Sequence, residues 1–121
     1  MPRKPSRKTL IKKLDKIVSQ IVVKRDKRCV VCGSTERLGN GHLFSRTNYS
    51  TRWDLTNCNC QCWGCNYKHE FQPGPYTIWF LNHYGKEEYE ELDRTHRQST
   101  KLKDYQLQEM YENFKEIYDG M

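Results

Sequence analysis

The chain has 121 residues, of which 36% are hydrophobic and 30% are charged, and its formal net charge is +6. This length predicts one domain with a modest apolar core. No run approaches the roughly 18 apolar residues of a membrane span, and the basic start leads into an amphipathic stretch where a signal peptide would have an apolar core. We therefore expect a cytoplasmic protein with no membrane partner. In that reducing compartment its six cysteines favour metal ligation over disulfides.

Positive charge is concentrated at the amino terminus. Residues 1–28 hold eleven Lys and Arg against two acids, net +9, whereas residues 29–70 are net +1 and residues 71–121 are net −4. Basic residues that neutralise phosphates release condensed counterions, so this first part is expected to face a polyanion. The alternative is a merely solvated basic tail. We divide the chain into a basic amphipathic helical arm (1–28), a core (29–75) and a helical carboxy-terminal region (76–121).

A first helix is predicted from Thr9 to Arg28, because apolar residues recur there at helical spacing with lysines on the opposite face. Residues 29–70 follow as short strands and loops rich in Gly, Asn, Cys and Thr, and they contain every motif with evident chemistry. The apolar stripe of the first helix comprises Leu10, Leu14, Ile17, Val18 and Ile21.

Three further helices are predicted in the carboxy-terminal region. Gly74-Pro75 opens a helix over Tyr76–Tyr84, Gly85 ends it, and a charged helix follows over Lys86–Arg97. Asp104 is the expected N-cap of a last helix. We expect the small core to cover one of the two apolar stripes and the last helix to face a second subunit; the alternative is that both stripes belong to the core. The stripe of the last helix comprises Leu107, Met110, Tyr111, Phe114 and Tyr118.

Four of the six cysteines form two C-x-x-C pairs. Cys29 and Cys32 flank a tight turn that ends in glycine, and Cys62 and Cys65 form the second pair. Together they predict a four-thiolate tetrahedral site for a structural zinc, closing a loop of 29 residues. The zinc compensates for the small apolar core, because its binding free energy becomes folding free energy.

The other two cysteines precede the second pair. If that stretch is extended, Cys58 and Cys60 point to the same face as Cys62. We expect Cys58 and Cys60 to be small buried hydrophobic residues and not ligands.

Between the two pairs lies the dipeptide Gly41-His42. A lone histidine in a loop-rich domain is usually structural. The order along the chain, however, is C-x-x-C, Gly-His, Asn57 and C-x-x-C-Asn66. This arrangement resembles the HNH, or ββα-metal, nucleases in the subtype whose last ligand is asparagine, and it is similar to nucleases of the junction-resolving endonuclease VII type. It looks most like the NinG/Rap family of phage recombination nucleases.

The resemblance to that family spans most of residues 10–100, and the cysteine spacing is its specific part. The segments that carry it are Leu14-Asp15-Lys16, Val23-Lys24-Arg25-Asp26, Cys29-Val-Val-Cys32-Gly33, Gly41-His42, Asn57, Gln61-Cys62, Cys65-Asn66 and Trp79-Phe80-Leu81-Asn82-His83-Tyr84-Gly85.

The resemblance implies a small α+β fold with a zinc-stabilised ββα-metal (HNH, His-Me finger) core and flanking amino- and carboxy-terminal helices. In that core, His42 is the general base that activates water, and Asn57 orients its imidazole. Asn66 offers an oxygen to a single catalytic Mg²⁺ or Mn²⁺. The four-thiolate zinc has no open position and stays structural.

One position departs from the family pattern. Many nucleases of this fold carry an acid or a histidine directly before the base as a second metal ligand, and here that residue is Gly41. Asn40, Asp54 and His69 are the possible substitutes, and Asn40 is the one assigned to the cofactor. Glycine would leave room for ligand waters or for close approach of DNA. The remaining histidines are expected at the surface: His69, His83 and His96.

The predicted function is metal-dependent cleavage of DNA, above all of branched recombination intermediates such as Holliday junctions or D-loops. A homodimer would supply the two active sites that symmetric cleavage needs. Three alternatives stay open: an HNH nickase without structure preference, a non-catalytic zinc module that binds DNA, and a redox or protein-interaction zinc knuckle. Basic charge favours nucleic acid over the last of these. The residues predicted to contact DNA are Lys24, Arg25, Arg28, Arg46, Arg52 and Lys68.

Overall fold

Five helices and a two-stranded antiparallel sheet make up residues 5–121, the part of the chain that the computed structural model describes. This confirms the predicted α+β class. No helix in that part of the chain combines the length and the apolar character needed to cross a bilayer. The elements are α1 (Arg7–Asp26), β1 (Leu38–His42), β2 (Cys58–Cys62), α2 (Trp63–His69), α3 (Gly74–Tyr84), α4 (Lys86–His96) and α5 (Asp104–Asp119).

Helix α1 lies two residues earlier than predicted at both ends. Its N-cap is Ser6, whose hydroxyl accepts a hydrogen bond from the backbone amide of Thr9 at 3.2 Å. It ends where Lys27 adopts the left-handed conformation, with φ 66°, and donates its backbone amide to the carbonyl of Val23. Both boundaries are therefore set by capping and not by the end of the apolar stripe.

The two strands form an antiparallel hairpin, and successive side chains along each strand point to opposite faces of it. Leu38 pairs with Cys62 at one end, and His42 pairs with Cys58 at the other. Asn40 and His42 share one face with Cys58 and Cys60, and this face packs towards α1. Gly39 and Gly41 share the opposite face with Asn59 and Gln61. Strand β2 continues directly into α2, which gives a compact β-β-α unit.

The apolar stripes of α1 and α5 pack against each other. Leu107 of α5 is fully buried in one cluster with the α1 stripe, Trp53, Cys58 and Cys60. Met110, Tyr111, Phe114 and Tyr118 pack against the same cluster. The expectation that the α5 stripe is free for a second subunit is therefore wrong, because α1 of the same chain covers it. This cluster joins residues from all three predicted regions, so the arm is part of the core.

A second, smaller cluster lies on the other side of the hairpin. It contains Leu43, Tyr76, Phe80 and Leu92, which come from the end of β1, from α3 and from α4. Helices α3 and α4 meet at Gly85, whose φ of 95° is left-handed. The predicted helices over this segment are confirmed within two residues at their ends.

The start of α5 differs from the prediction by one residue. Lys103 is the N-cap, and Asp104 is the first helical residue. The side chain of Gln106 accepts a hydrogen bond from the Lys103 amide at 2.8 Å, which satisfies one backbone donor at this end of the helix. The carboxylate of Asp104 instead pairs with Arg7 at 3.1 Å, which joins the start of α5 to the start of α1 at the surface.

Candidate functional site

The two C-x-x-C pairs converge at the end of the hairpin that Cys62 occupies. The sulfur atoms of Cys29, Cys32, Cys62 and Cys65 all lie within 4.8 Å of one another, and those of Cys32 and Cys62 are 3.6 Å apart. Sulfurs that share a tetrahedral zinc at the usual Zn–S bond length are about 3.8 Å apart. The four cysteines are therefore close enough together to hold a structural zinc after small side-chain adjustments.

The backbone of the turn between Cys29 and Cys32 favours the thiolate form of Cys29. Gly33 has φ +80° and donates its amide to the Cys29 carbonyl at 2.8 Å, which closes the turn. Burial raises the pKa of the Cys29 thiol, but backbone amides, including those of Cys32 and Cys62, outweigh this effect and lower its pKa to about 7. The backbone thus prepares one ligand for deprotonation before any metal arrives.

The prediction that Cys58 and Cys60 are buried hydrophobic residues is confirmed. Both are 0% exposed and belong to the cluster packed against α1. Burial raises the pKa of Cys58 to about 12 and that of Cys60 to about 11, so both stay protonated at neutral pH. The Cys58 thiol donates to the carbonyl of Arg52 at 3.3 Å.

A cleft of about 970 Å³ lies beside the other end of the hairpin. Its walls come from β1, from the loop that follows β1, from α1 and from α2. The site residues predicted from sequence that line this cleft are Asn40, His42, Arg46 and Asn66. His69 and Glu70 line it as well, and Asn57 does not.

His42 is held by a single hydrogen bond. Its Nε2–H donates to the carbonyl of Arg52 at 2.8 Å. Because the carbonyl can only accept, the neutral imidazole carries its proton on Nε2 and its lone pair on Nδ1. Burial lowers the pKa of His42, and the Arg52 carbonyl opposes this only in part. The ring is therefore a neutral base at physiological pH.

Asn57 is fully buried and fastens the loop between the strands. Its Oδ1 accepts from the Phe44 amide at 2.8 Å, and its Nδ2 donates to the carbonyls of Phe44 and Thr51 at 3.1 Å. It makes no direct hydrogen bond to the His42 imidazole, which it was predicted to orient. Its effect on His42 is indirect, since it fixes the backbone next to the Arg52 carbonyl.

Asp15 of α1 holds the same loop from the other side, a role that the sequence analysis missed. Its carboxylate accepts from Arg52 at 2.7 and 3.0 Å and from Trp53 Nε1 at 2.8 Å. Burial raises the pKa of Asp15, but these donors lower it by more. The available signal was its place in the Leu14-Asp15-Lys16 segment. The guanidinium of Arg52 thus holds the loop through Asp15, and its predicted contact with DNA stays a prediction.

The cleft also contains oxygen donors suited to a hard cation. Oδ1 of Asn40 is buried and has no hydrogen-bond partner among residues 5–121. Asn66 and Glu70 lie one helical turn apart, both exposed, and Glu70 has no ion-pair partner within that part of the chain. Amide and carboxylate oxygens are ligand types that Mg²⁺ prefers in proteins.

Gly41, the position before His42, is closely packed. A Cβ atom built there would lie 2.6 Å from Cδ and 2.8 Å from Cγ of Gln61, whose carboxamide fills the space of a side chain at this position. Oε1 of Gln61 is buried without a hydrogen-bond partner among the described residues. Tyr76 of α3 fixes the backbone here, since its hydroxyl donates to the Gly41 carbonyl at 2.7 Å. The glycine therefore reflects packing by Gln61.

Comparison with known proteins identifies the family. Residues 3–119 match the family described as Bacteriophage Lambda NinG protein. The chain belongs to the NinG family. The match covers nearly the whole sequence, which confirms the predicted resemblance to the NinG/Rap family and supports a bacteriophage origin. Neither the search of curated proteins nor the search of solved structures found a match.

Two histidines of this NinG family protein differ from their predicted surface role. His69 is half-buried, and its Nε2–H donates to the Leu43 carbonyl at 2.8 Å. Its Nδ1 is buried without a partner in the described chain. His96 stacks on Phe44 with 4.3 Å between ring centroids and accepts a hydrogen bond from Asn48 at 3.1 Å. His83 is exposed, as predicted.

The basic residues predicted to contact DNA fall into two groups in this NinG family protein. Arg25 is half-buried, and its guanidinium donates to Asp26, to the carbonyls of Leu55 and Cys58, and to Asn59. These contacts clamp α1 to β2, so Arg25, like Arg52, has a structural role. The residues that remain exposed are Lys24, Arg28, Arg46 and Lys68.

Proposed function

We propose that this protein is a zinc-stabilised DNA endonuclease that acts on branched recombination intermediates such as Holliday junctions or D-loops. The observation that carries the proposal is the state of His42: a neutral imidazole at the end of a strand, fixed through Nε2, lining a cleft together with oxygen donors. This is the arrangement that general-base hydrolysis of a phosphodiester needs. In this proposal β1, β2 and α2 are the ββα-metal core.

The residues in and around the cleft have distinct roles in the proposed reaction. Nδ1 of His42 takes the proton from the water that attacks phosphorus. Asn66, Asn40 and Glu70 would hold a single Mg²⁺ or Mn²⁺, which when bound supplies positive charge for the leaving oxygen. Asn57 and Asp15 position the Arg52 carbonyl that orients His42. The zinc cysteines fix the start of α2, which carries Asn66.

DNA binding follows from the exposed basic residues near the cleft. Arg46 lines the cleft, and Lys68 is exposed on α2. Lys24 and Arg28 are exposed at the end of α1, away from the cleft lining, and Lys24 lies over the Tyr118 ring of α5. Symmetric cutting of a four-way junction needs two active sites, for which we propose a homodimer. Because α1 covers the α5 stripe, the subunit contact must use another surface.

A second candidate is a zinc module that binds DNA without cutting it. The observation that favours it is Gly41, where the Gln61 carboxamide fills the space that a second ligand would need. A protein of this kind would retain every contact in the fold and lack cleavage under any divalent ion. An HNH nickase without structure preference is the third reading, and it differs only in the substrate that is cut.

Cleavage of synthetic DNA tests the proposal directly. The zinc-loaded protein is incubated with a four-way junction, a flap and a linear duplex, with and without Mg²⁺ or Mn²⁺. We expect cleavage of the branched substrates that requires the added ion and falls about 10²-fold or more in His42→Ala, because a general base acts on the barrier. Junction binding and zinc content should not change. Tight binding without cleavage under either ion would establish the non-catalytic reading.

A further inference from the structure

Three aromatic side chains stand exposed in a row along α2 and the turn after it. Trp63 is 72% exposed, Tyr67 is 69% exposed and Phe71 is 67% exposed. Trp63 and Tyr67 lie one turn apart on the same side of α2, and Phe71 follows in the turn. The rings of Tyr67 and Phe71 meet edge to face with 5.5 Å between centroids. We refer to Trp63, Tyr67 and Phe71 as the aromatic ridge.

The aromatic ridge begins inside the candidate active-site cleft. Trp63 and Tyr67 line the cleft that His42 and Asn66 line. Trp63 is the first residue of α2, and its amide donates to the Arg37 carbonyl at 3.0 Å, so its position is fixed by the hairpin. A ligand that lies along the ridge from Phe71 therefore lies in the cleft at Tyr67 and Trp63.

The area and surroundings of the aromatic ridge favour a nucleic acid over a protein partner. Three aromatic rings at this exposure present on the order of 400 Å², whereas a stable protein interface buries about 800 Å² on each side. The neighbouring exposed cations are Lys68 on the same helix and Arg46 across the cleft, which suit phosphates. Glu70 is the one exposed carboxylate on the cleft wall among the described residues.

We propose that the aromatic ridge binds unpaired nucleobases at the open part of branched DNA. This inference rests on the proposed function, since it specifies which part of the DNA enters the cleft. Every base has a π-face, so stacking on an exposed ring is tolerant of sequence. Bases inside a duplex are already stacked and cannot use the ridge. The rise from Trp63 to Tyr67 is about 6 Å, roughly two base steps of DNA, so each ring meets a separate splayed base. The ridge thus distinguishes open DNA from paired DNA.

Binding measurements without added Mg²⁺ or Mn²⁺ test this role separately from cleavage. The zinc-loaded variants Trp63→Ala, Tyr67→Ala and Phe71→Ala are compared for affinity to labelled single-stranded oligonucleotide, flap, four-way junction and linear duplex. We expect each to lose about tenfold in affinity for single-stranded DNA and flap, with duplex affinity unchanged. Trp63→Tyr should restore most of the loss. The matched control is Tyr105→Ala, which removes a tyrosine that is 61% exposed on α5.

Fluorescence gives a second reading from the same samples. Trp53 is buried and Trp79 is half-buried, whereas Trp63 is exposed, so single-stranded DNA should quench the emission of Trp63. The quenching should disappear in Trp63→Tyr while binding is largely retained. A merely structural tryptophan would show no such quenching.

Each contrary outcome overturns the inference in a recognisable way. Equal loss of affinity for duplex and single-stranded DNA would make the ridge a general backbone contact. Unchanged affinity in all three variants would remove it from DNA binding. A dimer in sedimentation that the ridge variants convert to a monomer would identify the ridge as a contact between two copies. Selective binding of open DNA by a protein that cuts no substrate would support the ridge and reject the proposed nuclease.

Discussion

The two ends of the β1–β2 hairpin carry different chemistry. At the end where Leu38 pairs with Cys62, four sulfurs converge within 4.8 Å and leave a metal no open position. At the other end, about 13 Å along the strands, His42 has one hydrogen bond and borders an open cleft with nitrogen and oxygen donors. One end is built to hold the chain together, and the other is left available for a ligand. Substitutions at the two ends should therefore have separable effects.

The largest effect is expected at the cysteine end. Cys65→Ser should unfold the domain and release the zinc, because losing one thiolate forfeits much of a binding free energy of about 10 kcal/mol or more. The matched control is Cys58→Ser, where the hydroxyl can still donate to the Arg52 carbonyl and the loss should be much smaller. Metal content and circular dichroism measure both. Equal loss of zinc in the two variants would overturn the assignment of ligands.

The second-largest effect is expected where α1 packs against α5. Phe114→Glu places a charge against the buried α1 cluster and should lower the free energy of unfolding by about 3 kcal/mol in a urea titration. Ile117→Glu changes a residue of the same helix that is 45% exposed, and we expect it to be nearly neutral. If Phe114→Glu leaves stability unchanged and converts a dimer into a monomer, α5 is a subunit contact after all.

Local sequence patterns predicted the cysteine end and the helices well. The C-x-x-C spacing fixes two ligands within one turn, and only one second pair was available for Cys29 and Cys32. The 3.6-residue period identified α1 and α5. It could not show that their stripes cover each other, because the spacing is the same for a core helix and for a subunit contact.

The details of the His42 end depend on contacts between distant segments, and the sequence could not supply them. A count of charges treats Arg25 and Arg46 alike. The guanidinium of Arg25, however, is hydrogen-bonded to residues of the fold, whereas Arg46 is exposed. The partners of Asn57 are backbone groups of a loop, which have no sequence signature. The residue pattern assigned residues 29–70 to strands and loops, so helix α2, with Trp63 and Tyr67 exposed on it, was not predicted.

A smaller effect tests how the His42 end is positioned. Asp15→Asn keeps the shape of the side chain and removes the charge that pairs with Arg52. We expect cleavage of a junction to fall about tenfold, corresponding to about 1.4 kcal/mol on the barrier, with zinc content unchanged. Glu36→Gln, an exposed acid outside the cleft, is the control. An Asp15→Asn variant that cuts at the wild-type rate would show that Arg52 holds its place without the ion pair.

The smallest effect concerns the charge state of His42. A titration of its imidazole by NMR, in zinc-loaded protein without added Mg²⁺ or Mn²⁺, should give a midpoint below the ordinary 6.5, since burial lowers its pKa. The unfolded chain then takes up the proton at a higher pH than the folded protein, so this group removes stability as pH falls through about 6.5. The charge of Asp15 raises the pKa of His42, and Asp15→Asn should therefore move the midpoint further down. A midpoint above 6.5 would mean that a nearby negative charge outweighs burial. A midpoint above neutral pH would leave the imidazole mostly protonated and contradict its role as the base of the proposed reaction.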